Sequence, residues 1–289
     1  MVNFRDPTVI TSDSWAVVKL CHALGSLYFW EFFTTLDYEW SVFRGHRPYR
    51  WTIWIYLLTR VATLVAVVLN IVGLDVTTKI DCQLWITLEL VFGYLAFATA
   101  SLLIVLRVIA IWNKNRVVVA IAVGVWVINI AFLIQGTARL RSVWVPAQKQ
   151  CVVYDTESNK PNIIVTLITD IILLLIMLVG LLRLRRYGDG TFGLARLLWK
   201  QGIIWLFLAT FAEVTPAVFI SLNLNDVLNL MFQIPSMTIM TIAATRMYRS
   251  LADFASESTE VLLDNPQTVP RTKSASIPST QREVASHTV

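Results

Sequence analysis

The chain has 289 residues, 56% of them apolar and only 15% charged, with a mean hydropathy of +0.63; soluble domains carry about 25% charged residues, so this composition argues against a soluble globule. Lys and Arg number 24 against 19 Asp and Glu, a formal net charge of +5. The basic residues stand in short clusters between long apolar runs, which points to membrane topology and away from nucleic acid as a partner. Three Cys and three His are too few for a disulfide-stapled scaffold or a multi-His centre, so no metal and no cofactor is expected.

A spanning helix needs roughly 20 mostly apolar residues. In chain order, seven segments meet that requirement: Ser14 to Leu36, Trp51 to Leu74, Leu84 to Trp112, Val117 to Gly136, Ile163 to Leu182, Leu197 to Ile220 and Val227 to Met247. The first is the weakest, because it holds Lys19, His22 and Glu31, and the polar stretch before it does not read as a signal peptide. The expected fold is all-α: a seven-transmembrane-helix bundle over residues 14–250, preceded by an extracellular segment, 1–13, and followed by a disordered cytoplasmic tail, 251–289. The Ser, Thr and Pro content of that tail supports the last expectation. Within it, Arg271-Thr272-Lys273-Ser274 has the form of a basic-directed phosphorylation site.

Loops kept in the cytoplasm collect Lys and Arg. One set of alternating loops holds Arg44, Arg47, Arg50, Lys114, Arg116, Arg183, Arg185, Arg186, Arg196, Lys200, Arg246 and Arg249, twelve in all, whereas the other holds the six residues Arg5, Lys79, Arg139, Arg141, Lys149 and Lys160. This places the N-terminus outside and the C-terminus inside. Trp15, Trp30, Trp40, Trp51, Trp85, Trp112, Trp144 and Trp199 lie at or near the proposed ends, where an indole buries its ring and keeps its N–H wet. On the outer side, Cys82 at the mouth of the third span and Cys151 in the longest outer loop face an oxidising compartment and are expected to pair; two free thiols sharing one side is the alternative.

The stretch Thr35-Leu36-Asp37-Tyr38-Glu39-Trp40, followed by Trp51 and Leu57-Leu58-Thr59-Arg60, resembles a family of fungal, mainly basidiomycete, multi-pass membrane proteins with an N-terminal domain of unknown function. Leu106-Arg107-Val108 with Ala110-Ile111-Trp112, and Ala244-Thr245-Arg246-Met247, look like that family too. The resemblance covers most of residues 28 to 250 and implies no particular activity. More distantly, seven spans, an outer N-terminus and the placing of the Cys pair are similar to the layout of G-protein-coupled receptors. Arg107 departs from that pattern by lacking a preceding acid, and the seventh span has Pro235 but no Asn-Pro-x-x-Tyr.

An ionisable group in hydrocarbon must face the bundle interior or water. Counted from the span ends, Glu89 lies roughly 8 Å and Asp170 and Glu213 about 10 Å below the outer surface, so the three carboxyls share one depth. Cys82, Glu89, Ala96 and Leu103 recur every seven residues, which turns Glu89 towards the bundle. One reading is an outward-opening cavity lined by Glu89, Asp170 and Glu213, with Asn70, Asn229 and Gln233 nearby and Pro216 loosening the sixth span, whose guest is a small cation or amine. The other is that each acid is protonated or bonds a neighbouring helix. Arg60 calls for a buried counter-charge, reachable from Asp37 or Glu39 only if the first helix extends past Thr35, and Arg107 near the inner boundary is expected to snorkel.

The seventh span has no Lys for a retinal Schiff base, and His22, His46 and His287 assemble neither a zinc site nor a Ser-His-Asp set, so no enzyme is expected. The expected function is a receptor-like or sensory membrane protein that binds a small extracellular ligand and signals to a cytoplasmic partner. The alternative is a transporter or ion or proton pathway using the intramembrane carboxylates. The bilayer is the plasma membrane or, alternatively, an endomembrane.

Overall fold

The computed structural model describes residues 7–45, 50–76, 78–112, 115–145, 150–154, 160–187, 192–222 and 226–264. Along the chain these form α1 (Pro7–Thr34), α2 (Leu36–Phe43), α3 (Thr52–Asp75), α4 (Cys82–Ile111), α5 (Arg116–Arg139), β1 (Arg141–Val145), β2 (Gln150–Tyr154), α6 (Lys160–Tyr187), α7 (Phe192–Leu222), α8 (Asp226–Met231) and α9 (Gln233–Asp264). Seven of the described helices have 24 residues or more, a rise of about 36 Å or greater against a hydrocarbon core of about 30 Å. Four are both long and apolar enough to cross a membrane: α3, α4, α5 and the Lys160–Arg183 part of α6. The chain is therefore a predominantly helical protein with the apolar helices of a multi-pass membrane protein.

Local chemistry sets several helix ends. The Asp81 carboxylate accepts the Leu84 N–H at 3.2 Å and caps α4, and Asn115 Oδ1 accepts the Val117 N–H at 3.1 Å at the start of α5. Gly45, with φ of +77°, provides the left-handed turn just past α2. Pro235 falls in the first turn of α9, where its missing N–H is harmless, and the chain breaks at Phe232 between α8 and α9.

Helix α4 lies at the centre, touching α3, α5, α6 and α9. Its fully buried Ala96, Ala100 and Ser101 let neighbouring backbones approach closely, as small residues do where no hydrophobic effect holds helices together. Large apolar side chains point outward instead, among them Val68, Ile128, Ile134, Val179, Phe207 and Phe211. A bilayer covers such a belt; water does not.

At one end, β1 and β2 form an antiparallel hairpin with Trp144 opposite Cys151. The expected bridge is present: Cys82 and Cys151 are disulfide-bonded, their Cα atoms 5.6 Å apart. Gln83 adds a second tie, donating to the Leu140 carbonyl at 3.2 Å and accepting the Ser142 N–H at 3.0 Å, so the hairpin is held over the mouth of α4 by two consecutive residues.

Three boundaries differ from expectation. Helix α1 begins at Pro7, so residues 7–13 belong to the first helix and not to a separate segment. The seventh span is split into α8 and α9 by the Phe232 turn. Residues 251–264, expected as disordered tail, continue α9, because no Gly or Pro interrupts the Ala-, Leu- and Glu-containing run until Pro266. The rest of the expected tail, with its phosphorylation motif, lies outside the described residues.

Candidate functional site: a chamber beneath the hairpin

The beginnings of α1, α4 and α9, the end of α3 and the hairpin enclose a cavity of about 290 Å³. Val17 and Val18 of α1, Leu74 of α3, Trp85, Tyr94 and Phe97 of α4, and Met237 of α9 make its walls largely apolar, while Cys151 and Val153 bring the tied hairpin to its rim. Trp85 is fixed by donating its indole N–H to the Leu69 carbonyl at 3.2 Å. Gly73 faces that indole: a Cβ there would lie 2.5 Å from Trp85 Nε1, so glycine leaves room for the ring.

Glu89 is the one acid on this lining. The seven-residue series holds, since Cys82, Ala96 and Leu103 are buried and Glu89 lies along the same stripe. Asn70, also on the lining, donates Nδ2–H to Glu89 Oε1 at 2.8 Å. No described cationic side chain pairs with Glu89. Gln233 joins the chamber from α9. Its Oε1 and the Asn70 Oδ1 are shut off from solvent and accept no hydrogen bond.

Asp170 and Glu213 are not on the chamber lining. Asp170, fully buried, accepts from Ser101 Oγ at 2.8 Å, and Ser101 lies twelve residues, about 18 Å of helix rise, beyond Glu89 along α4. Glu213 accepts from Ser236 Oγ at 3.0 Å and is near enough to Asp170 for the two carboxyls to repel. The expected three-carboxylate cluster is thus split. Glu213 borders a much smaller cavity with Asn162, Thr166 and Ser236, and this shares Tyr94, Phe97 and Gln233 with the chamber. The depth count started from helix ends that differ from those observed: α4 begins at Cys82, α6 at Lys160, and α7 runs to Leu222. Pro216 is buried within α7 beside that small cavity. The Asn229 side chain lies outside the described residues.

The opposite end carries an ionic network. Arg60, 3% exposed, pairs with Glu39 and donates to Tyr56 Oη at 3.1 Å and to the Phe32 carbonyl at 2.6 Å. The turn at Thr35 makes this possible by releasing α2 from the axis of α1 and folding Glu39 back onto α3. Burial pushes the Glu39 carboxyl above its usual range, against the opposing pull of Arg60. Glu31 accepts from Arg246 through both Nε, at 2.9 Å, and Nη2, and from Arg249 Nη2 at 2.7 Å, tying α1 to α9. In the sequence Glu31 stands out only as a blemish in the first expected span, although an acid near the end of one helix and two Arg near the end of another were a signal for it. The expected snorkelling of Arg107 is not seen: the side chain is 8% exposed, because Ile104, Val105 and Val108 show that α4 is enclosed at this level.

Compared with protein-family models and with curated proteins, the chain matches none. Among the described residues no group of three His, Cys, Asp or Glu is placed to hold a metal. What the chamber offers chemically is one carboxylate, with two amide side chains on the same lining, in a largely apolar hollow at the disulfide-tied hairpin.

Proposed function

We propose that this chain is a receptor-like seven-span membrane protein, with its N-terminus and hairpin outside, that binds a small extracellular cation or amine in the chamber. The observation that carries the reading is Glu89, an acid with no cationic partner among the described residues, on a largely apolar wall. An ionised carboxylate so placed is costly with Asn70 as its one described donor, and a cavity of about 290 Å³ suits a small guest. Below Asp170 the side chains of Leu103, Ile104, Leu174, Met177 and Met240 are all buried, packed alongside the buried polar residues Thr63, Thr241, Arg60 and Arg107. A closed lower half of this kind supports a receptor and counts against an open conduit. The transporter reading draws on Glu213 and Asp170, which continue polar contacts beyond the chamber, and on the buried Thr63, Thr241, Thr245 and Arg60 between α3 and α9.

The plasma membrane is the natural site for such a receptor, and the end opposite the hairpin would meet the cytoplasmic partner. The reading also makes the chain a member of the fungal multi-pass family that it resembles: Glu39, Arg60 and Arg246, all within the stretches that carry the resemblance, take part in the ionic contacts of that opposite end. Thermal unfolding of the full-length protein in lipid nanodiscs, with and without 2-phenylethylamine, tests the ligand class. The amine should raise the midpoint in wild type and not in Glu89→Gln; equal stabilisation of both would refute it.

A further inference from the structure

The polar atoms left without partners on the chamber wall all have the same character. Asn70 is oriented by its own bond: Nδ2–H points to Glu89 at 2.8 Å, so Oδ1 is turned away from the acid and accepts nothing. Gln233 Oε1 also accepts nothing. Glu89 receives one hydrogen bond, on Oε1, and an ionised carboxylate has capacity for more. The lining therefore carries unpartnered acceptors on Asn70 and Gln233 in addition to Glu89, both carbonyl oxygens being covered from solvent. The terminal torsions of Asn and Gln are broad, so both carbonyls can turn to a guest, Asn70 giving up its bond to Glu89 as the guest takes it over.

We infer that the chamber recognises a primary ammonium on a compact apolar body, in preference to a quaternary ammonium or a neutral analogue. This deepens the proposed function and rests on it. A primary ammonium has three N–H donors and no acceptor, which matches one carboxylate and two amide carbonyls group for group. A quaternary ammonium carries the same charge without donors, and its recognition relies on aromatic faces. Trp85, Tyr94 and Phe97 would serve the apolar body of either ligand, so they do not discriminate between them. The acceptors do: a primary ammonium gives Asn70 Oδ1 and Gln233 Oε1 the partners they lack, whereas a quaternary guest leaves them unpaired as before, and a site that hydrogen-bonds a ligand disfavours the analogue that lacks the hydrogen bonds.

The test is calorimetric titration of the full-length protein in nanodiscs with three probes that share one body: 2-phenylethylamine, its N,N,N-trimethyl analogue and 2-phenylethanol. The expected order is the primary amine first, at least about tenfold tighter than either of the others. In Gln233→Met, which keeps the length of the side chain and removes the carbonyl, the preference for primary over quaternary should shrink severalfold while quaternary affinity is retained. Should that variant not fold, the wild-type series decides the matter alone. Quaternary binding as tight as primary, abolished by Glu89→Gln, would overturn this inference and leave the proposed chamber standing. Absence of Glu89-dependent binding for all three probes would overturn both.

Discussion

Glu31 is the residue whose removal most sharply tests how the two ends of the chain are joined. It bridges α1 to α9 through two arginines that differ in exposure: the Glu31 and Arg249 side chains are 11% and 12% exposed, whereas Arg246 is 46% exposed. Removing one partner of a buried pair costs about 3–5 kcal/mol, because the other charge is left in low dielectric. An exposed pair contributes about 0–1 kcal/mol. Glu31→Gln and Arg249→Gln should therefore each cost about 3 kcal/mol, a fall in midpoint of about 6–12 °C by the scaling of domains of this size. Arg246→Gln, whose guanidinium keeps its water and also lies over the Trp205 ring at 5.3 Å, should cost about 1 kcal/mol. Thermal unfolding in nanodiscs, arranged as double-mutant cycles, measures both couplings. A Glu31–Arg246 coupling equal to or larger than that of Glu31–Arg249, or a neutral Glu31→Gln, would refute the reasoning.

Three other outcomes follow from the packing. Cys82→Ser should remove a reduction-sensitive gel shift and destabilise the protein by up to about 4 kcal/mol, the chain-entropy value for a bridge closing 69 residues; alkylation of both thiols in unreduced wild type would contradict it. Glu213→Gln should leave the unfolding midpoint unchanged or raise it, since the amide oxygen still accepts from Ser236 and the repulsion with Asp170 is gone; a loss above about 2 kcal/mol would show that an unseen cation holds the pair. Gly73→Ala should cost about 1–3 kcal/mol by displacing the Trp85 indole, and quenching of tryptophan fluorescence by a water-soluble quencher should increase. An unaltered quenching constant would mean that the ring had room to spare.

Much of this architecture was legible in the sequence because the signals were local. Apolar runs located the long helices, the seven-residue stripe through Cys82 turned Glu89 inward, and Cys82 and Cys151, expected on one side, are bonded. What was not legible depended on tertiary placement. Glu31 and Arg249 are 218 residues apart in the chain, and nothing in either neighbourhood fixes that meeting. Asp170 was assigned a depth from the end of its own helix, whereas its bond to Ser101 depends on how α6 sits against α4. The partner of Arg60 was narrowed to two acids, and the Thr35 turn, which carries no Gly or Pro, selected Glu39. Arg107 was expected to reach the surface because its distance from the helix end is short, but neighbouring helices enclose it.

The central claim, an outward-facing chamber that attracts cations through Glu89, is tested most directly by thiol labelling of intact cells. In a Cys21→Ala background, Val17→Cys places a single reactive thiol on the chamber wall, and two membrane-impermeant methanethiosulfonates, one cationic and one anionic, compete to modify it. The account predicts labelling without permeabilisation, faster for the cationic reagent, with the charge preference lost in Glu89→Gln. Labelling only after permeabilisation, or equal rates for both reagents in the presence of Glu89, would contradict it.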